Sequence, residues 1–358
     1  MGTYLRNLLP ALIRTLSPTA RFTLLIQSED QTDLSFSGQA EVRHIVPRNR
    51  PLSIGEQFEI PDLIPEDTDL LWLPHLNIPI RYRGSAKLLV TLHDLEMRHL
   101  KLREPRKFPV YLYSRLVFPL IRRRADAIVC DSRFTYDEWL HFYKRTRDVH
   151  VIPLGVESAF FDARPGAADH LTPNPYLLYV GNVKPHKNLR RLIEAFLKIK
   201  DRIPHDLVIA GKLAGLRSGD RSIPGLVEAG GERIRLTGRV SQPELEALYA
   251  GADLFVFPSL YEGFGLPPLE AMAAGTAVAA SDISVVREAC ADAAAYFNPR
   301  DPADIARAIE AALADDARTE LVRKGRERAQ ARNWDRPIAE TLRVIRATLP
   351  DGAAKTGD

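Results

Sequence analysis

Short apolar runs recur along this chain and alternate with longer segments whose apolar residues return every three or four positions. Runs of four to six apolar residues bounded by Pro, Gly or polar turns read as buried strands, and the longer period reads as helix. In the first half the strand pattern falls on Thr23–Ser28, Val42–Val46, Asp69–Pro74, Leu88–His93, Ala127–Asp131 and His150–Pro153, with helical segments at Phe108–Arg124 and Ser132–Tyr143. Pro153-Leu154-Gly155 breaks the pattern, and the Ala-, Pro- and Gly-rich start of Asp162–Pro175 reads as an interdomain linker. A second set follows: strand Tyr176–Val180, helix 187–201, strand Asp206–Ala210, a helix near 222–229, strand Ile234–Thr237, helix 242–250 and strand Asp253–Phe257. It continues with helix 267–274, strand Val278–Ala280, helix 284–290 and a short strand Ala295–Phe297. The Ala-rich stretch 303–318 is helix-compatible, and Trp334-Asp335-Arg336-Pro337 interrupts the last helical stretch. Alternating strands and helices predict an α/β protein with parallel sheets covered by helices on both faces, built twice.

Composition changes this picture little. The 358 residues are enough for two ordinary domains, and 45% hydrophobic with 27% charged residues is the balance of a globular protein. Cys130 and Cys290 lack CxxC spacing and sit in apolar or alanine-rich surroundings, which predicts two reduced, buried thiols in a cytosolic protein. No stretch reaches the roughly 18 apolar residues of a membrane helix, and the N-terminus lacks a signal-peptide core, so cytoplasmic residence is the expectation. Charge is more informative than composition because it is uneven. Residues 81–150 hold 16 Lys and Arg against 8 Asp and Glu, an excess of +8 in a chain whose net charge is +3. Such a segment reads either as a solvated helical face or as a surface for an anionic membrane or a lipid diphosphate, and residues 98–124 dominate it. It carries no zinc-ligand spacing or aromatic RNA-binding motif, so nucleic acid is not an expected partner.

The most specific chemistry lies in FVFPSLYEGFGLPPLEAMAAG, residues 255–275. An apolar strand ends at Pro258-Ser259, and Glu262-Gly263-Phe264-Gly265 forms a tight loop whose glycines expose backbone N–H groups and tolerate positive φ. Pro267-Pro268 suits a first helical turn, and Gly275 is a natural helix stop. A strand, a glycine loop and a helix N-terminus together make an anion site, because amides and the helix dipole point to one place. Glu262 and Glu270 flank that site. Two carboxylates beside an anion site predict a phosphate-bearing ligand whose hydroxyls are held by acids.

Those two glutamates and their spacing resemble the E-x7-E motif of retaining glycosyltransferases with the GT-B fold, glycosyltransferase family 4 above all. The resemblance is also carried, in order, by VTLHDL (90–95), VIPLGVE (151–157), YLLYVGNVKPHKNLRRLIEAF (176–196), RLTGRVSQPELEALYAGADLFVFPSLYEGFG (235–265) and SDISVVREACADAAAYFNPRD (281–301). It covers most of residues 85–345. It implies two Rossmann-like domains facing a cleft: an acceptor-binding domain over 1–160, rejoined by a final helix at about 336–350, and a nucleotide-sugar-binding domain over 161–335. It also implies an opening strand and glycine loop ahead of the helix at 4–14, whereas this chain enters that helix directly from Met1-Gly2-Thr3. Absence of that strand is expected to expose neighbouring strand edges.

The resemblance assigns roles residue by residue. Lys187 and the amides of Gly263, Phe264, Gly265 and Leu266 would hold the diphosphate, Glu270 the ribose hydroxyls, and Glu262 the region of the donor sugar. Val240, after Gly238-Arg239, sits where the base is read through backbone groups, and Gly181 and Asn182 complete the donor side. Many relatives carry arginine where Asn182 stands, leaving Arg239 or Lys212 to supply a second positive contact. His93 ends a strand and would contact the transferred sugar or the acceptor, or else be hydrogen-bonded within its own loop.

Neither H-E-x-x-H nor a DxD-type pair is present, so no metal is expected. The implied reaction is metal-independent transfer of a hexose with retention, in which the departing phosphate takes the acceptor proton. GDP-mannose is the favoured donor, a UDP-sugar the second choice, and a saccharide or lipid-linked acceptor the partner. A GT-B epimerase or phosphorylase and a non-catalytic sugar-nucleotide-binding relative stand as alternatives.

Overall fold

The computed structural model describes residues 2–16, 20–26, 42–49, 53–99, 108–144, 148–166, 174–211 and 222–349. The chain divides into two compact units, Met1–Leu154 with Trp334–Asp358, and Gly155–Asn333. The first unit thus ends at Leu154 rather than at 160, and the last segment rejoins it at Trp334. Ser28, Lys212, residues 100–107 of the basic segment and residues 167–173 of the expected linker lie outside the described residues.

In the N-terminal unit helix Gly2–Leu16 precedes two parallel strands that pair with each other, β1 (Phe22–Leu25) and β2 (Val42–Ile45). A separate four-stranded parallel sheet runs in chain order through β3 (Leu70–Leu73), β4 (Lys87–Leu92), β5 (Ala127–Cys130) and β6 (Asp148–Val151). β1 and β3 are each an outer strand of their own sheet. Strand β6 begins two residues before the expected His150, because the ladder starts with Asp148 opposite Ala127 whereas hydropathy rises only later. Helix Ile54–Leu63, capped by the Ser53 hydroxyl, carries Pro61 inside it and so gave no clear pattern.

Alternation sets the faces of β4. Leu88, Val90 and Leu92 join Val117, Phe118, Ile121 and Trp139 of helices Phe108–Arg124 and Arg133–Tyr143 in one core. On the other face the Thr91 hydroxyl accepts from Trp72 Nε1 at 3.0 Å and shares a hydrogen bond with the Tyr4 hydroxyl at 3.2 Å. Helix Asp335–Thr348, close to the expected 336–350, contacts both β4 and helix Gly2–Leu16. Tyr4 packs against Trp334 with ring centres 6.4 Å apart.

The C-terminal unit holds six parallel strands: β7 (Tyr176–Val180), β8 (Asp206–Ala210), β9 (Ile234–Gly238), β10 (Leu254–Phe257), β11 (Ala277–Ser281) and β12 (Ala295–Phe297). Their spatial order is β12-β11-β10-β7-β8-β9. The first strand therefore has the second on one side and the fourth on the other, and the order reverses between β7 and β10. In open parallel sheets ligands bind beyond the strand carboxyl ends at that reversal. Leu177, Tyr179, Leu207, Ile209, Leu254 and Val256 face one way, onto helices Leu189–Ile199 and Pro302–Leu313. The Ala-rich stretch is two helices rather than one, Pro302–Leu313 and Asp315–Gln330, broken where Ala314 turns extended with ψ 132°. Both cysteines are buried, and burial pushes the Cys290 thiol up to about 12. No helix among the described residues is long and apolar enough to cross a membrane.

Candidate functional site

Two loops leave the strand ends on either side of the reversal, residues 181–188 after β7 and 258–265 after β10. The first tightens into a 3-10 turn, Pro185–Lys187, and then Asn188 takes a left-handed conformation with φ 58° and ψ 26°. That conformation delays the helix to Leu189, two residues after its expected start. A side chain rarely adopts it without compensation, and here the amide provides it. Asn188 Nδ2 donates to the carbonyls of Pro258 (2.9 Å) and Pro299 (2.7 Å), while its Oδ1 accepts from Arg191 at 2.9 Å. The backbone N–H of Leu260 also donates to the His186 carbonyl at 2.7 Å. The two loops are thus stitched together.

The second loop ends at Gly265, whose φ of 106° only glycine takes readily, and helix Leu266–Ala273 starts there. Gly263 stays outside the positive-φ region, so one loop glycine rather than two uses that freedom. Pro267 and Pro268 leave Leu266 as the sole N–H among the first three helical residues. Backbone N–H groups at this terminus are therefore limited to Leu266 and the loop before it. At the other end Gly275 (φ 84°) closes a Schellman turn, with Thr276 N–H bonded to the Ala271 carbonyl and Gly275 N–H to that of Met272.

Stitching brings Lys187 to Glu262. The ammonium donates to Oε1 at 2.7 Å and Oε2 at 3.0 Å, with side-chain exposures of 22% and 14%. The same ammonium stands 5.9 Å from the centre of the Phe257 ring. Near this pair the Tyr179 hydroxyl is buried and has no hydrogen-bond partner among the described residues, and burial, then the Glu262 charge, raises its pKa. Glu270 sits in the helix that follows and accepts from the Tyr249 hydroxyl at 3.2 Å.

The floor is made of glycine. Gly181 N–H donates to the Ala210 carbonyl and Gly211 N–H to that of Gly238, so the ends of β7, β8 and β9 converge as bare backbone. Gly211 has φ 147°, and a Cβ there would lie 2.1 Å from the Gly181 carbonyl oxygen. Gly238 has φ 74°. Arg239 is exposed and Val240 half-buried just beyond β9, and Asn182 is exposed beside Gly181. Phe264 is buried.

His93 belongs to the N-terminal unit, where both ring nitrogens are engaged. Nδ1 lies 2.5 Å from Asp131 Oδ2 and Nε2 2.9 Å from the Pro74 carbonyl oxygen. Two acceptors on two ring nitrogens describe an imidazolium. Burial alone would lower its pKa, but the Asp131 charge and hydrogen bond outweigh that and raise it. The Tyr4 ring packs edge-on at 5.0 Å. His93 thus ties together the ends of β3, β4 and β5; its partners are 38 and 19 residues away, in other loops than its own, and not within its own loop. Asn188, Gly211, Tyr249 and Asp131 were not singled out from sequence. Gly211 alone carried a usable signal, as a glycine directly after an apolar strand. Among the described residues no group of three or more His, Cys, Asp or Glu is placed to hold a metal ion.

Known proteins resemble this chain in sequence and in fold. Residues 2–160 match the family model Glycosyltransferase Family 4, and residues 165–332 match Glycosyl transferases group 1. O-antigen chain mannosyltransferase B of Escherichia coli is 35% identical over 176 residues, covering 48% of this chain and 45% of that protein. Serotype-specific mannosyltransferase WbdA of Escherichia coli is 39% identical over 210 residues, 54% of this chain and 25% of its own length. O-antigen chain mannosyltransferase RfbU of Salmonella typhimurium is 28% identical over 233 residues, 65% and 61%. The chain thus spans less than two thirds of each of these relatives. Among solved structures, sucrose-phosphate synthase from Thermosynechococcus elongatus superposes with a TM-score of 0.77 at 24% identity, covering 96% of this chain and 92% of that one. Anabaena HepE in complex with UDP and glucose gives 0.74 at 16% identity, covering 95% of both chains. Both share the GT-B fold of two parallel α/β sheets. With consecutive family models over both units, the E-x7-E pair at the sheet reversal and this fold, the chain belongs to glycosyltransferase family 4.

Proposed function

We propose that this protein is a retaining hexosyltransferase that moves mannose from GDP-mannose to a saccharide or lipid-linked acceptor in the synthesis of a cell-surface polysaccharide. The observation that carries the reading is the Lys187–Glu262 pair, held where two loops meet at the sheet reversal and preceding a glycine-started helix. Leaving-group departure puts negative charge on the diphosphate. A fixed ammonium and preoriented amides aimed there each stabilise the transition state by about 3 kcal/mol. Lys187 and the amides of residues 263–266 take that part, Glu270 holds the ribose hydroxyls, and Glu262 the donor sugar. Bare backbone at Gly181, Gly211 and Gly238 lets the nucleotide approach closely, with the base near Val240. The departing phosphate accepts the acceptor proton on the same face, so the reaction proceeds with retention and without a protein base or a metal ion. Mannose is favoured because the curated relatives just described are mannosyltransferases; a UDP-sugar is the second choice.

The N-terminal unit is the acceptor side in this reading. Helix Phe108–Arg124 exposes Leu112 (51%) and Leu116 (58%) one turn apart, with Arg115, Arg122 and Arg123 beside them. Apolar and cationic side chains on one exposed stripe suit an anionic bilayer. Cytoplasmic residence at the inner face of the membrane follows from that stripe and from a lipid-linked acceptor.

The test is release of GDP from GDP-mannose in the presence of a lipid-linked saccharide acceptor, with the product anomer read by NMR. GDP release with an α-linked product from the α-linked donor supports the reading. Binding without release makes the chain a non-catalytic relative, and sugar conversion without acceptor makes it an epimerase.

A further inference from the structure

Tyr249 is fully buried in helix Gln242–Gly251, a place where a phenol adds nothing to packing that phenylalanine would not. Its ring meets Phe160 and Phe255 edge-on, with centres 5.7 and 5.3 Å apart, and its own carbonyl accepts from the Thr276 hydroxyl. Helix, ring and main chain are therefore fixed before the hydroxyl is considered. That hydroxyl donates to Glu270 Oε2 at 3.2 Å.

We propose that Tyr249 is a positioning residue for ribose recognition, holding the Glu270 carboxylate in the orientation that grips the ribose hydroxyls of a nucleoside diphosphate. The proposal rests on the sugar-nucleotide reading of the site and adds to it the residue that makes Glu270 selective for a diol. A glutamate side chain has three rotatable bonds, and two hydroxyls on adjacent carbons need a carboxylate presented in one plane. A donor anchored in a rigid aromatic cage selects that plane, because it reaches one oxygen along one direction. Burial, then the nearby Glu270 charge, raises the phenol well above its ordinary pKa, so it stays a donor throughout the working range. It gives Glu270 a hydrogen bond without placing a second cation there to compete with Lys187 for the diphosphate.

The substitution Tyr249→Phe removes the hydroxyl alone. Binding of GDP and UDP, each alongside its 2′,3′-dideoxy analogue, is measured by titration calorimetry on the full chain. Loss of one hydrogen bond to a charged group corresponds to roughly tenfold weaker binding. The expected result is that loss for whichever ribonucleotide the wild type binds, with affinity for its dideoxy form changed less than twofold. Equal losses for both forms assign Tyr249 to packing and overturn the proposal, as does an unchanged ribonucleotide affinity. In a Glu270→Ala background Tyr249→Phe is expected to add no further loss, and a further tenfold loss there also overturns it. A wild-type chain that binds neither GDP nor UDP overturns the sugar-nucleotide reading itself, an outcome separate from these.

Discussion

The ammonium of Lys187 is bonded to both carboxylate oxygens of Glu262, at 2.7 and 3.0 Å, across 75 residues of sequence. The pair is partly exposed, so its own contribution to stability is of order 1 kcal/mol or less. Its importance is positional, because the cation assigned to the diphosphate already stands beside the carboxylate assigned to the sugar. Removing Lys187 (Lys187→Ala) should weaken nucleoside diphosphate binding by about a hundredfold while melting shifts by only a few degrees. Calorimetric titration and thermal denaturation read the two effects; a large stability loss with normal binding would make the pair a structural one.

Glu262→Ala should abolish transfer and leave the fold intact. Single-turnover rates with GDP-mannose provide the measurement, with circular dichroism as the control. Unchanged turnover would remove Glu262 from the site.

Asn188 combines a φ of 58° with three side-chain hydrogen bonds, two of them buried, and conformation and bonding can be separated. Asn188→Ala loses both and should cost about 3 kcal/mol, leaving the Pro258 and Pro299 carbonyls without this donor. Asn188→Gly keeps the backbone conformation and should recover about 1 kcal/mol of that. Chemical denaturation ranks them, and equal stabilities would show that conformation is not a factor at this position.

Gly211→Ala would place a methyl group 2.1 Å from the Gly181 carbonyl oxygen in a residue with φ 147°. Main chain must move, at a cost of roughly 1–3 kcal/mol. The ends of β7 and β8 would separate, and nucleotide affinity should fall by more than tenfold. Denaturation and nucleotide titration test the two halves of this expectation.

Asp131 raises the pKa of His93 against the effect of burial. A histidine whose folded pKa lies above the ordinary 6.5 contributes stability that is complete below 6.5 and disappears as pH rises through the folded value. The wild type should therefore lose melting temperature over that interval. Asp131→Asn removes the charge and leaves the burial, so His93 should fall below its ordinary value, as NMR titration would reveal. The same alkaline loss of stability in Asp131→Asn would detach it from this pair.

Elements bounded by local chemistry were legible in advance. Strand β10, the 258–265 loop and the helix stop at Gly275 follow from an apolar run, two prolines and glycines in fixed positions, each acting on its own few bonds. Where a residue's conformation answered to distant partners, the reading slipped. Asn188 shortened a helix because two carbonyls 70 and 111 residues away receive its amide, and β6 began early because Ala127 lay opposite Asp148. His93 was visible as a strand-end histidine, but its bond to Asp131 was not, since 38 residues separate them.

By itself the sequence determined the α/β alternation, the glycine loop ahead of Leu266, the two carboxylates flanking it and membership of a family. Hydrophobic period, proline and glycine act over a few residues, and a motif keeps its spacing in one dimension. Tertiary structure alone decided that β7 lies beside β10, and with that which loops meet, which cation faces Glu262 and which phenol reaches Glu270. Strand order follows from the packing of entire helices and sheets, a balance of many weak contacts that no short stretch of chain encodes.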